Sequence, residues 1–128
     1  MPRPSPVRDR VRDLLHEGSQ HAWSLEELHD QVRRDIGSAD YSTVFRAIAF
    51  LEHQGEVRKV ELGDGRSRWE PALAHHDHLL CTDCGRVAEL EGVCPLVGSS
   101  PELGDASGFR ISGHELVFTG VCPDCQSR

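Results

Sequence analysis

His75-His76-Asp77-His78-Leu79-Leu80-Cys81-Thr82-Asp83-Cys84-Gly85 decides how the rest of the chain is read, together with its distant counterpart Cys122-Pro123-Asp124-Cys125. Each CxxC pair puts two thiolates on one turn, close enough for both sulfurs to reach a single ion. Two such turns complete a tetrahedral four-thiolate zinc site. The 37 residues between Cys84 and Cys122 exceed the span of a compact zinc finger. The ion is therefore expected to clamp a small sheet made from the short β-like stretches Leu79-Leu80, Val87-Ala88, Phe109 to Ile111 and Leu116 to Phe118. A redox dithiol is the competing reading, but it has no need of two copies. Cys81, Cys84, Cys122 and Cys125 are expected to hold structural zinc.

If the preceding segment is extended, His76 and His78 point to one side while His75 and Asp77 point to the other. One short strand can thus feed two further metal sites. Glu70 and Glu89 are carboxylates near enough in sequence to join His76 and His78, and an imidazole–carboxylate set suits Zn, Fe(II), Mn or Ni. The alternative is a solvated polar loop with a chance run of histidines. His16, His29 and His53 fall on helical stretches and read as exposed surface residues. Spacing alone gives His21 and His114 no role.

A length of 128 residues suits one compact domain or two of roughly 60 residues each. With 38% apolar and 5% aromatic residues, neither half builds a deep core unaided, so help from a metal or a partner subunit is expected. Five cysteines in a chain whose start, Met1 to Pro6, has no secretory h-region indicate metal chemistry in a reducing compartment rather than a disulfide framework. The longest apolar stretch, Val44 to Leu51, contains Arg46 and falls far short of the roughly 20 residues of a membrane helix. The expected location is cytoplasmic, with no membrane partner.

Residues 1–62 carry 9 Lys/Arg against 11 Asp/Glu, and residues 63–128 carry 5 against 10. The resulting net charge of −7 counts against indiscriminate polyanion binding. Positive charge is nevertheless concentrated locally, with Arg3, Arg8, Arg10 and Arg12 against Asp9 alone in the first twelve residues.

The first half reads as three short helices and a hairpin. Val7, Val11, Leu14 and Leu15 share a helical face that Gly18 ends. Ser24-Leu25-Glu26-Glu27 has the form of a capping box before Leu25, Leu28 and Val32. Asp40 is placed to cap a third helix, with Val44, Ile48 and Leu51 inward and Gly55 as its stop. Val57 to Leu62, Gly63-Asp64-Gly65 and Arg66 to Glu70 read as strand, tight turn, strand. Three helices and a two-stranded wing make a winged helix-turn-helix, though any small three-helix unit with a hairpin looks similar. Character changes around Pro71 to Ala74, so a winged-helix domain is expected over 1–70 and a metal-rich domain over 71–128. Pro95, Gly98, Pro101 and Gly104 keep any helix between Glu91 and Gly108 brief.

Taken together, the sequence resembles the ferric uptake regulator family of bacterial metal-responsive repressors. The resemblance runs through Tyr41-Ser42-Thr43-Val44-Phe45-Arg46, Leu51-Glu52-His53-Gln54-Gly55-Glu56-Val57, Gly63-Asp64-Gly65-Arg66 with Trp69-Glu70, the HHxHxxCxxCG stretch at His75–Gly85, and Gly120-Val121-Cys122-Pro123-Asp124-Cys125. It implies an α+β chain with an N-terminal winged helix-turn-helix, a hinge and a small C-terminal α/β dimerisation domain closed by structural zinc. By position it implies a regulatory site of Glu70, His76, His78 and Glu89 at the hinge. The usual further ligand from the DNA-binding domain falls at Ala22, which leaves the neighbouring His21 as the substitute donor. It also implies a third site of His75, Asp77 and His114. The acidic partner of that site falls near Leu96, which leaves Cys94 or Glu102 to complete it, and a plain buried thiol is the default reading of Cys94.

The expected function is a metal-dependent, DNA-binding transcriptional repressor that controls metal homeostasis genes. Zn2+ would be structural and a second divalent ion (Fe2+, Zn2+ or Mn2+) regulatory. Iron is favoured because the regulatory donors are nitrogen and oxygen only; a zinc uptake regulator or another metal or peroxide sensor of the family is the alternative. The expected partners are double-stranded DNA carrying an inverted-repeat operator and a second copy of the chain, with no small organic substrate. Arg8 and Arg46 would touch phosphates, while Tyr41, Ser42, Thr43 and Phe45 face base edges. Two rivals are a two-His carboxylate metalloenzyme, which leaves the N-terminal half unexplained, and a winged-helix zinc-ribbon module that binds a protein.

Overall fold

The computed structural model describes residues 3–17, 20–72, 77–90, 94 and 100–128, and the chain separates into two compact units, Met1–Ala74 and His75–Arg128. Among the described residues, no helix is long and apolar enough to cross a membrane.

In the first unit, α1 (Pro6–His16) starts at Ser5, whose hydroxyl accepts from the Arg8 N–H, with Pro6 at the first helical position. The helix ends on Glu17 before the expected stop, and Gly18 lies outside the described residues. A two-residue strand, β1 (Trp23–Ser24), leads into α2 (Leu25–Ile36). Here the capping box is complete: the Ser24 hydroxyl accepts from the Glu27 N–H at 3.2 Å, and Glu27 accepts from the Ser24 N–H at 2.8 Å. Gly37 closes that helix at φ 99°, a conformation that disfavours any side chain with a Cβ. Asp40 stands at the cap of α3 (Tyr41–His53), but through its backbone: the Thr43 N–H donates to the Asp40 carbonyl and the side chain makes no cap bond.

Val11, Leu14 and Leu15 of α1 meet Leu25, Leu28 and Val32 of α2 and Val44, Ala47, Ile48 and Leu51 of α3 in one core, closed by Trp23, Val57 and Trp69. Two ion pairs brace α1: Arg12 binds both Glu56 oxygens, and Arg10 Nε lies 2.6 Å from Asp35. Half of the arginine cluster is thus occupied with internal acids.

The wing is β2 (Val57–Glu61) antiparallel to β3 (Ser67–Pro71), with Arg58 opposite Glu70 and Val60 opposite Arg68. It is three-stranded rather than two-stranded, because β1 pairs with the free edge of β3 in the order β1-β3-β2. At the tip the positive φ values belong to Gly63 and Gly65, not to Asp64. Asp64 instead uses both carboxylate oxygens to accept from the buried Arg68 guanidinium, at 3.1 and 2.8 Å.

The second unit has a three-stranded sheet in the order β5-β4-β6. β4 (His78–Cys81) runs antiparallel to β5 (Val87–Glu89) and parallel to β6 (Val117–Gly120). The expected strand at Phe109 to Ile111 is absent; those residues are irregular and exposed or half-exposed. A short α4 (Ser100–Ser107) and a single-turn α5 (Pro123–Gln126) complete the unit. The α+β class and the winged helix-turn-helix are as the sequence indicates.

Candidate metal centres and nucleic-acid interface

Helix α3 divides its side chains by face. Val44, Ala47, Ile48 and Leu51 go into the core, which leaves Tyr41, Ser42, Phe45 and Arg46 exposed on the opposite side and Thr43 half-buried between them. Tyr41 and Phe45 are 46% and 51% exposed, unusual for aromatics with a core within reach and apt for meeting a partner. Arg46 reaches back only to the Thr43 hydroxyl at 3.4 Å. Arg8 packs its guanidinium 4.6 Å over the Phe50 ring and donates to the Arg3 carbonyl, which fixes it beside the same helix. His29 is half-buried rather than exposed: its Nε2–H donates to the Ala39 carbonyl at 2.9 Å, and its ring meets Tyr41 edge-on at 5.5 Å. The sequence reading missed this link between α2 and the start of α3, because a helical histidine carries no mark of its partner.

In the second unit, strand β4 delivers Cys81, the turn after it Cys84, the N-cap of α5 Cys122, and α5 itself Cys125. The four sulfurs lie within 4.8 Å of one another, with Cys81–Cys125 and Cys84–Cys122 both at 3.8 Å. Zn–S bonds of about 2.3 Å at tetrahedral angles place sulfurs roughly 3.8 Å apart, so the cluster has the dimensions of a zinc site. Backbone amides reinforce it: the Cys122 and Cys84 N–H groups donate to Cys81 Sγ and pull its thiol down to about 6. The Cys125 N–H likewise lowers Cys122. Cys125 moves the other way, up to about 12, held as a thiol first by its bond to Cys122 and then by burial. Four sulfurs this close cannot all carry charge by mutual contact alone; a dication at their centre offsets the repulsion.

The remaining sequence candidates divide between the units. In the first, Glu70 on β3 is fully buried, with Oε2 3.0 Å from His21 Nε2 and Oε1 accepting from Arg58 Nε at 2.7 Å. His21 thus stands at the carboxylate where the Ala22 position offers no donor. Arg58 went unnoticed in the sequence, although a hairpin centred on Asp64 puts it directly across from Glu70. In the second unit, buried His78 is the cross-strand partner of exposed Glu89, an arrangement that places both side chains on one face of the sheet. Imidazole and carboxylate sets of this kind fit a borderline or hard divalent ion. His75 and His76 lie outside the described residues.

Asp77, Cys94 and His114 also come together in the second unit, with His114 Nε2 3.1 Å from Cys94 Sγ and 4.0 Å from Asp77 Oδ1. Of the two residues expected to complete a third site, Cys94 lies beside Asp77 and His114, whereas Glu102 is exposed and outside that group. Cys94 is half-buried and hydrogen-bonded to the His114 imidazole.

Residues 2–119 match the model of the ferric uptake regulator family. The ferric uptake regulation protein of Campylobacter jejuni is 33% identical over 128 residues, covering 94% of this chain and 78% of that protein. That of Bacillus subtilis is 30% identical over 129 residues, covering 97% and 85%. Among solved structures, the Helicobacter pylori ferric uptake regulator, described as having three functional metal-binding sites, superposes with a TM-score of 0.79 at 26% identity over 97% of this chain and 82% of that one. With its winged helix, its four-cysteine cluster and its nitrogen–oxygen donor sets, the chain belongs to the ferric uptake regulator family of metal-responsive transcriptional regulators.

Proposed function

We propose that this chain is a cytoplasmic, dimeric repressor that binds inverted-repeat DNA when a divalent ion occupies a regulatory ligand set of Glu70, His76, His78 and Glu89 with His21. The observation that carries the reading is Glu70: a carboxylate with no exposed surface, held at one oxygen by Arg58 and faced at the other by an imidazole. A buried carboxylate is costly unless it is paired or coordinated, and a sheet residue held this firmly is a preorganised donor. Zinc at Cys81, Cys84, Cys122 and Cys125 is structural in this reading and independent of signalling. The regulatory donors are nitrogen and oxygen, which suits iron(II) and manganese(II) at least as well as zinc, and iron is the favoured signal.

DNA is read by α3, with Tyr41, Ser42, Thr43 and Phe45 toward base edges and Arg46 and Arg8 toward phosphates. Phe45 keeps an apolar body that can contact a thymine methyl. The test is a titration of inverted-repeat duplex DNA with the zinc-loaded protein, in iron(II), manganese(II) or chelator. Tight binding only with added metal supports the reading. Equal binding in chelator, or none in any condition, refutes it.

A further inference from the structure

We infer that His29 is a specificity-determining positioning residue: its ring orients Tyr41 for contact with a base edge, a role that rests on the proposed reading of DNA by α3. His29 lies half-buried on α2 and grips the start of α3 at two points. Its Nε2–H donates to the Ala39 carbonyl at 2.9 Å, and its ring stands at 74° to the Tyr41 ring with centroids 5.5 Å apart. A carbonyl only accepts, so the nitrogen facing it carries the proton, and the hydrogen bond anchors the imidazole. Tyr41 then meets a ring already held in place, in the edge-on geometry that aromatic pairs prefer.

Position gives this contact its consequence. Ala39 and Asp40 end the turn between α2 and α3, and the Asp40 side chain makes no cap bond, so His29 supplies the side-chain tie that the cap omits. Tyr41 is the first residue of α3, and the N-terminal residues of a recognition helix are those that contact base edges in helix-turn-helix modules. The His29 contact leaves Tyr41 46% exposed, with a phenol that can donate to or accept from a base. A tyrosine free to change rotamer loses that freedom on binding, whereas one held beforehand is preorganised.

Discrimination and general affinity separate here. The proposed phosphate contacts are held by other groups: Arg8 lies over Phe50, and Arg46 bonds to Thr43. Loss of the His29 ring therefore weakens the choice between sequences and leaves the number of phosphate contacts alone. A plain tie between α2 and α3 acts differently. Its loss would disturb the whole of α3, and the defect would persist whatever residue stood at position 41.

The experiment uses the full-length, zinc-loaded protein in excess manganese(II). An inverted-repeat duplex is selected by the wild-type protein from a randomised pool, and its affinity is compared with that of a scrambled duplex of the same length and composition. His29→Gln keeps an N–H donor but removes the ring, and it should lower the preference for the selected duplex by about 3–10-fold per half-site. Binding to the scrambled duplex and the salt slope should stay as in wild type. His29→Phe keeps a ring and should hold the preference within about twofold. In a Tyr41→Ala background both substitutions should be silent, the non-additivity expected of two residues acting through one contact. Wild-type preference in His29→Gln overturns the inference, as does an equal loss in His29→Phe or a loss that persists without Tyr41. A selection that yields no preferred duplex, or full preference in Tyr41→Ala, refutes base reading by Tyr41 itself and takes the role of His29 with it.

Discussion

Glu70 and Cys81 show how single residues divide the metal chemistry. Glu70 offers one oxygen, since Arg58 holds the other, so it can serve an ion as a monodentate donor beside His21. Glu70→Gln keeps the shape and the Arg58 hydrogen bond but removes the anion. It should weaken regulatory metal by about 10–100-fold in a chelator-competition titration, with zinc content unchanged. Cys81 works differently, because its sulfur collects two backbone N–H bonds and three sulfur neighbours. Cys81→Ser should abolish tightly held zinc and unfold the small β5-β4-β6 unit, since structural zinc contributes on the order of 10 kcal/mol in modules of this kind. One zinc per chain with an unchanged melting temperature would refute that role.

At the scale of elements, α3 and the wing each make a separable claim. Arg46→Ala should lower affinity for all DNA sequences alike and reduce the log–log salt slope by roughly one for each phosphate that the guanidinium no longer neutralises. Binding like wild type would remove this helix as the reader. In the wing, the Arg68 guanidinium beside Asp64 holds that carboxyl below the ordinary aspartate range. A lowered folded-state value means the pair stabilises the hairpin above the unfolded value and loses that effect as pH falls through the lowered one, below about 4. Asp64→Asn should therefore cost about 2 kcal/mol at neutral pH and flatten the acid limb of a melting-temperature profile. The helices, their caps and the α3 core face were legible because 3.6-residue spacing and capping chemistry are local. The strand Trp23–Ser24 was not: two residues carry no alternation, and only its pairing with β3 defines it. The Phe109–Ile111 stretch misled for the opposite reason, since apolar β-formers without an edge to join stay irregular.

For the whole molecule, the four-cysteine cluster was legible from spacing alone, because CxxC chemistry is carried by short turns. The grouping of Cys94 with His114 was not: 20 residues separate them, and only the family resemblance, not spacing, brought them together. Function rests on coupling: metal must favour the DNA-competent arrangement, and by linkage DNA must raise metal affinity by the same factor. Imidazole binds metal only when neutral, so metal-dependent DNA binding should weaken as the solution is acidified. The most direct measurement is DNA affinity with and without iron(II) for wild type and for His76→Ala combined with His78→Ala, alongside zinc content and mass. The expected result is a double variant that keeps one four-cysteine zinc per chain and its dimeric mass but binds DNA equally weakly in both conditions. A double variant that still tightens on DNA when metal is added would contradict the proposed site of sensing.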